Sequence, residues 1–167
     1  MTEQNIVLIG MPAAGKSTVG KVLAERTQRQ FIDTDQVIEA ATGKSLSALI
    51  AALGLDGFRR IEERAVASLE AVNAVISTGG SVVYSARAMR ALAAKGRIVF
   101  LDVPLRELEA RVGDPAARGM VIAPGQSFAA LYAEREPLYR HYAEVTVDAS
   151  GVMAGEVVER VLDALER

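Results

Sequence analysis

The sequence predicts a three-layer α/β/α fold on a five-stranded parallel sheet. Three observations carry that expectation: five short apolar runs recur along the chain, helical patterns separate them, and the first run breaks directly into a glycine-rich loop that opens a helix. The runs are continuously apolar instead of alternating, as expected for strands covered by helices on both faces. At 167 residues, half of them hydrophobic but only 5% aromatic, the chain can build one sizeable core from Ala, Val, Leu and Ile. It reads as a single domain over residues 1–167.

The expected strands are Ile6–Ile9, Phe31–Asp33, Ala74–Thr78, Arg97–Asp102 and Glu144–Val147. Helices are expected to begin near Lys16, Thr34, Ser47, Asp56, Ser85, Pro104 and Ser127, with a last one from Val152 to the C-terminus. Val19, Val22 and Leu23 give the first helix an apolar face, Ser85 suits an N-cap, and Pro104 suits a first helical turn. Ile61, Ala65 and Leu69 are spaced to face the core, as are Val158, Val161, Leu162 and Leu165 in the last helix. The stretch from Gly113 to Gln126, rich in Gly, Pro and Ala, lacks periodicity and is long enough for a mobile lid.

Composition narrows the function. A net charge of −2 gives no global attraction to nucleic acid or an anionic membrane. With no cysteine, disulfides and thiolate metal sites are excluded. The first residues run into the first strand without a signal-peptide pattern, and no apolar run is long enough to span a bilayer, so a cytoplasmic protein without a membrane partner is expected.

Gly10-Met11-Pro12-Ala13-Ala14-Gly15-Lys16-Ser17-Thr18 satisfies the pattern G-x-x-x-x-G-K-[ST] between an apolar strand and a helix. Its backbone N–H groups and the following helix N-terminus suit phosphate oxygens, Lys16 suits the β- and γ-phosphates, and Ser17 suits Mg²⁺. A nucleoside triphosphate is the expected ligand. In parallel sheets ligands gather at the carboxyl ends of the strands, so those ends matter most. Asp33-Thr34-Asp35 follows the second strand: alone it would read as a helix cap, but beside a phosphate loop it suggests one carboxylate for Mg²⁺ and one for the hydroxyl to be phosphorylated. Gly79-Gly80 follows the third and permits close approach of a ligand. Arg60, Arg64 and Arg140 read as solvated charges, Tyr132 and Tyr139 as packing residues with wet hydroxyls, Lys95 and Arg97 as solvated loop charges, and His141 as a residue without a catalytic role.

These segments, with Phe58-Arg59-Arg60-Ile61-Glu62-Glu63, Phe100-Leu101-Asp102-Val103-Pro104 and Arg135 before Pro137-Leu138-Tyr139, resemble the shikimate kinase family in order and spacing, nearly end to end. The resemblance implies a P-loop, nucleoside monophosphate kinase-like fold with a short lid at about residues 112–126. It implies transfer of the γ-phosphate of ATP to the 3-hydroxyl of shikimate, in aromatic amino-acid biosynthesis, by a monomer. Gly10, Ala13, Ala14, Gly15, Lys16, Ser17 and Thr18 would hold the nucleotide, with Arg111 against adenine and the lid residue Arg118 on the phosphates. Ser17 and Asp33 would serve Mg²⁺. Asp35, Arg59, Gly79, Gly80 and Arg135 would hold the acceptor, the two arginines on its carboxylate and Asp35 on its hydroxyls. Lys16, Asp35 and Arg118 would be the catalytic set. Independently of the resemblance, the nearness of Glu62 and Glu63 to Arg59 in the chain suggests that they brace it.

Three positions depart from the family pattern: Ser81 replaces the third glycine after strand three, the lid reads Arg118-Gly119-Met120 where relatives have Arg-Pro-Leu, and Ala13 stands where many relatives have glycine. All three lie where acceptor fit and closure are decided. Two other readings therefore stay open: a related kinase acting on another hydroxylated carboxylate, and a non-catalytic domain that senses a ligand in the same pocket.

Overall fold

The computed structural model of the chain describes residues 4–113, 120 and 122–167. Five parallel strands form one sheet: β1 (Asn5–Ile9), β2 (Gln30–Asp33), β3 (Ala74–Ser77), β4 (Gly96–Asp102) and β5 (Val145–Asp148). Their spatial order is β2-β3-β1-β4-β5. The most apolar run, β1, takes the centre and is buried along its whole length. The polar-ended β2 and β5 take the edges.

Among the described residues seven α-helices complete the fold: α1 (Lys16–Thr27), α2 (Thr34–Thr42), α3 (Leu46–Ala67), α4 (Ala86–Lys95), α5 (Leu105–Val112), α6 (Phe128–Tyr142) and α7 (Ala154–Glu166). The chain leaves β1 toward β2 in one direction, and every later crossover runs in the other. Right-handed crossovers therefore put α1 on one face and α3, α4 and α6 on the opposite face. α7 then returns to pack on α1, where Arg26 pairs with Glu159 at 2.6 Å. Between β1 and β3 the connections diverge to opposite faces, and that divergence opens a crevice beyond their carboxyl ends.

The expected strands all form, each within one residue of its expected bounds. Ser45, Ser85 and Ser127 cap α3, α4 and α6 through hydrogen bonds to the N–H of Ala48, Ala88 and Ala130. The two helices expected near Ser47 and Asp56 are the two arms of α3, broken at Gly54, which sits at φ 71° and ψ 178°. Pro104 is the residue before α5, with extended backbone, and not its first turn. α7 begins two residues later than expected. A turn of 3-10 helix over Val82–Tyr84 was not signalled by the sequence pattern.

Ile61, Ala65 and Leu69 pack against the core as expected, but the most deeply buried face of α3 lies one residue away. Phe58, Glu62 and Val66 point inward, while Ile61 and Ala65 are only partly covered. The i, i+4, i+8 stripe thus runs one residue away from the apolar reading and carries a glutamate into the interior. Arg97 lies within β4, bonded to Glu144 at 2.8 Å and to the carbonyl of Leu165, so it ties β4 to the start of β5 and to α7 instead of being a loop charge.

Asn5 anchors the central strand. Its buried amide donates to the Ala71 carbonyl and accepts from the Ala74 N–H, both at 2.9 Å, joining the starts of β1 and β3. Replacing it with Ala leaves a buried donor and acceptor unpaired, so Asn5→Ala should lower unfolding free energy by about 1–3 kcal/mol in urea titration.

Candidate active site

The phosphate loop wraps the carboxyl end of β1. Gly10 runs at φ 152°, with room only for hydrogen: a Cβ there would lie 2.9 Å from the Leu101 carbonyl oxygen. Ala13 is held at φ 70°, a left-handed conformation that costs a non-glycine residue about 1–2 kcal/mol. Gly15, at φ 93°, turns the chain into α1. Inside the loop the Lys16 ammonium donates to the carbonyls of Gly10 and Met11, both at 2.8 Å. Burial pushes its pKa down to about 8, partly countered by the carboxylate of Asp35.

The two aspartates after β2 divide their work by oxygen atom. Asp33 Oδ1 caps α2, accepting from the N–H of Asp35 at 2.9 Å and of Gln36 at 3.4 Å. Asp33 Oδ2 accepts from the Ser17 hydroxyl at 3.1 Å. The cap expected of an isolated aspartate and the pairing expected of a metal site are thus both made by one side chain. Among the described residues there is no cluster of three or more His, Cys, Asp or Glu able to hold a metal. One hydroxyl and one carboxylate beside a phosphate loop nevertheless fit Mg²⁺, which keeps most of its coordination for water and phosphate oxygens.

Asp35 faces a different space. A cavity of about 190 Å³ lies between the phosphate loop and the carboxyl end of β3, and Asp35, Glu62, Gly79, Gly80 and Arg135 converge on it. Pro12 and Ala13 form its loop side, and Met120 also lines it. Burial, then the nearby Asp33, pushes the Asp35 carboxyl up to about 6. The glycines are demanded by proximity. A Cβ at Gly79 would stand 2.6 Å from Asp35 Oδ1 and 2.8 Å from Glu62 Oε2; one at Gly80 would stand 2.8 Å from Arg135 Nη1. The Gly79 N–H donates to Thr34 Oγ1 at 3.1 Å, and the Tyr139 hydroxyl donates to the Gly80 carbonyl at 2.6 Å. Tyr139 is fully buried and stacked on Phe100, so its hydroxyl is dry, contrary to the expectation of a wet one. Arg140, also expected to be merely solvated, pairs with Asp102 at 2.7 Å and with Glu136.

Glu62, expected only as a brace for Arg59, whose charge it does feel, also lines the main cavity, a role that sequence reasoning missed. It is 2% exposed and accepts from the Ser81 hydroxyl at 2.6 Å through Oε1, while Oε2 is buried without a hydrogen-bond partner among the described residues. Burial pushes its pKa up to about 7. The signal was the Phe58-Glu62-Val66 spacing, outcompeted by the more apolar neighbouring stripe. Glu63, its expected partner in bracing Arg59, instead accepts from Ser85 and pairs with Arg87 at 3.7 Å.

The arginines separate. Arg135 is buried in the wall of the main cavity, whereas Arg59 lines an adjoining cavity of about 110 Å³ that shares Glu62 and Ser81 with it. Arg111 lies on the far side of the phosphate loop, donating to the Ala13 carbonyl at 3.2 Å. It lines a third cavity, about 200 Å³, with Gly15, Thr18, Val152 and Val157. Arg118, with residues 114–119 and 121 of the expected lid, lies outside the described residues.

The sequence profile of the family described as shikimate kinase matches residues 12–166. The chain belongs to the shikimate kinase family. Among curated relatives, the shikimate kinase of Aromatoleum aromaticum is 38% identical over 164 residues, covering 96% of this chain and 94% of that protein. That of Mycobacterium avium is 39% identical over 162 residues, covering 95% and 92%. A solved structure of shikimate kinase from Acinetobacter baumannii in complex with shikimate superposes with a TM-score of 0.89 at 30% identity, covering 99% of this chain and 94% of that one. As a shikimate kinase family member the chain is an ATP-dependent small-molecule kinase, which removes the non-catalytic sensor reading.

In this kinase, Gly79→Ala would drive a methyl group into Asp35 and Glu62. Kinase activity should fall about 10²-fold with the fold retained in circular dichroism, since misplacing a reacting group by an ångström costs on that order. Glu62 also makes a pH-dependent prediction. Its folded pKa of about 7 lies above the usual 4.5, so the folded state holds a proton that the unfolded state releases, and stability falls as pH rises from 4.5 through 7. Glu62→Gln should therefore raise stability at pH 8 by on the order of 2 kcal/mol. That gain should vanish near pH 4.5, as read by urea titration at the two pH values.

Proposed function

We propose that this protein transfers the γ-phosphate of ATP to the 3-hydroxyl of shikimate. The observation that carries this reading is the 190 Å³ cavity against the phosphate loop, in which carboxylates, bare glycine backbone and a buried arginine converge. The cavity is smaller than the roughly 300–1,000 Å³ that takes drug-sized ligands, a size that suits a monocyclic hydroxy acid. Its two kinds of charge match an acceptor with hydroxyls at one end and a carboxylate at the other.

Phosphoryl transfer asks little covalent work of the protein; it asks for alignment and for positive charge on the transferring group. Lys16 would leave the carbonyls of its own loop for the β- and γ-phosphates. Gly10, Ala13, Ala14, Gly15, Ser17 and Thr18 line the triphosphate path, and the cavity beside Arg111 would take the base. Ser17 Oγ and Asp33 Oδ2 would hold Mg²⁺, which supplies charge neutralisation to the phosphates when bound. Asp35 would accept a hydrogen bond from the attacking hydroxyl, and Glu62 would contact a neighbouring hydroxyl through Oε2. Arg135 and Arg59 would share the acceptor carboxylate, a task suited to guanidinium forks. Arg118 would bring a further cation to the phosphates from a lid at about residues 112–126. The protein would then work as a single-domain cytoplasmic monomer in aromatic amino-acid biosynthesis; among the described residues no single helix is long and apolar enough to cross a membrane.

Ser81 in the cavity wall is the observation favouring a different hydroxylated carboxylate. ADP release measured across a panel of hydroxy acids separates the two readings: turnover should be fastest with shikimate, and none at millimolar shikimate would transfer the assignment to another acceptor. Lys16→Ala should abolish turnover. Arg118→Ala should lower kcat by about 10²–10³ while sparing shikimate binding. Arg135→Ala should instead raise the KM for shikimate, and an unchanged value would remove the carboxylate clamp.

A further inference from the structure

Tyr84, on the 3-10 turn between β3 and α4, stands where two cations meet. The Arg59 guanidinium carbon lies 4.2 Å from its ring centroid and that of Arg135 lies 5.3 Å from the same ring. Arg135 Nε also donates to the Tyr84 hydroxyl at 3.3 Å, and that hydroxyl donates to Glu134. Arg59 Nε is buried and has no hydrogen-bond partner among the described residues. One aromatic ring is therefore the shared support of two guanidinium groups that come from α3 and α6, 76 positions apart in the chain.

Two like charges brought to one site repel, and each loses hydration there. A ring quadrupole attracts both without neutralising either, the phenol links Arg135 to Glu134, and both guanidinium groups also feel the Glu62 carboxylate. A carboxylate in direct contact would do the opposite: it would occupy the forks that an acceptor needs. A ring orients each guanidinium without setting a negative charge against it.

We propose that Tyr84 is a positioning residue for acceptor recognition: its ring holds Arg59 and Arg135 together as a pair that reads the acceptor's carboxylate. The proposal rests on the function given above and adds a determinant outside the cavity lining, since Tyr84 borders only the adjoining cavity. Its effect is confined to the carboxylate end of the acceptor.

The test uses the full chain, with shikimate and its methyl ester titrated calorimetrically alongside steady-state kinetics. Tyr84→Leu should weaken shikimate binding roughly tenfold, the order of a lost guanidinium–ring contact. Binding of the neutral ester, the KM for ATP, and kcat at saturating shikimate should stay within about twofold, and Tyr84→Phe, which keeps the ring, should restore most of the affinity. The chain has no tryptophan, so Tyr84→Trp places a lone indole at this position, and its emission should shift with shikimate but not with the ester. The proposal is overturned if Tyr84→Leu binds shikimate as the parent protein does, if both ligands weaken together, or if the indole emission ignores shikimate. Should Arg135→Ala weaken shikimate while Tyr84→Leu does not, only the role of Tyr84 is lost. If the parent protein binds no shikimate, the proposed function falls and takes this inference with it.

Discussion

Lys16, Glu62 and Arg135, all buried, and the half-buried Asp35 are brought into one region at the mouth of the crevice between β1 and β3. Burying one such charge alone costs several kcal/mol. The cost is offset in part: Asp35 raises the proton affinity of Lys16 although Arg135 lowers it, and the Ser81 hydroxyl, then Arg135, oppose the upward shift of Glu62 although Asp35 adds to it. Much of the surrounding architecture serves to hold those four side chains at these separations. The phosphate loop supplies carbonyls to the ammonium, Ser81 supplies a hydroxyl to Glu62, and Gly79 and Gly80 leave space that any side chain would fill.

The same crowding explains where strain and stiffness sit. Ala13 keeps an unfavourable left-handed backbone because the loop around Lys16 is closed on both sides, by the Leu101 carbonyl at Gly10 and by the entry to α1 at Gly15. Behind the glycine pair, Tyr139 is wedged between Phe100 and the Gly80 carbonyl and couples the position of α6 to that of the turn. Arg135 sits one helical turn before Tyr139, so the guanidinium inherits the rigidity of that contact. These residues lower stability locally and are held by the apolar sheet beneath them, a common division between site and scaffold.

Patterns confined to neighbouring residues were legible. The five apolar runs, the serine caps and the loop from Gly10 to Thr18 state their structure through local sterics and hydrogen bonding. What failed depended on competition between faces of a single helix. Ile61 and Ala65 form the more apolar stripe of α3 and pack partly covered against the cluster around Phe58, yet the stripe through Phe58 and Glu62 is the one turned fully inward. A polar group at the boundary is welcome inside only where distant segments of the chain bring it Ser81 and Arg135, and periodicity has no access to that. The dry hydroxyl of Tyr139 and the two-armed α3 broken at Gly54 belong to the same class.

By itself, the sequence determined the strand and helix order, the phosphate loop and the residue types available at each strand end, because these follow from contacts within a few residues. Tertiary structure decided which of those residues share a cavity. It sent Arg135 into the wall and Arg59 behind Tyr84, and it turned Glu62 inward. It also gave each oxygen of Asp33 a separate partner. Those outcomes depend on the directions in which the crossovers leave β1 and β3, and on which buried charges find a counter-charge when they arrive. Both are long-range conditions that no local pattern encodes.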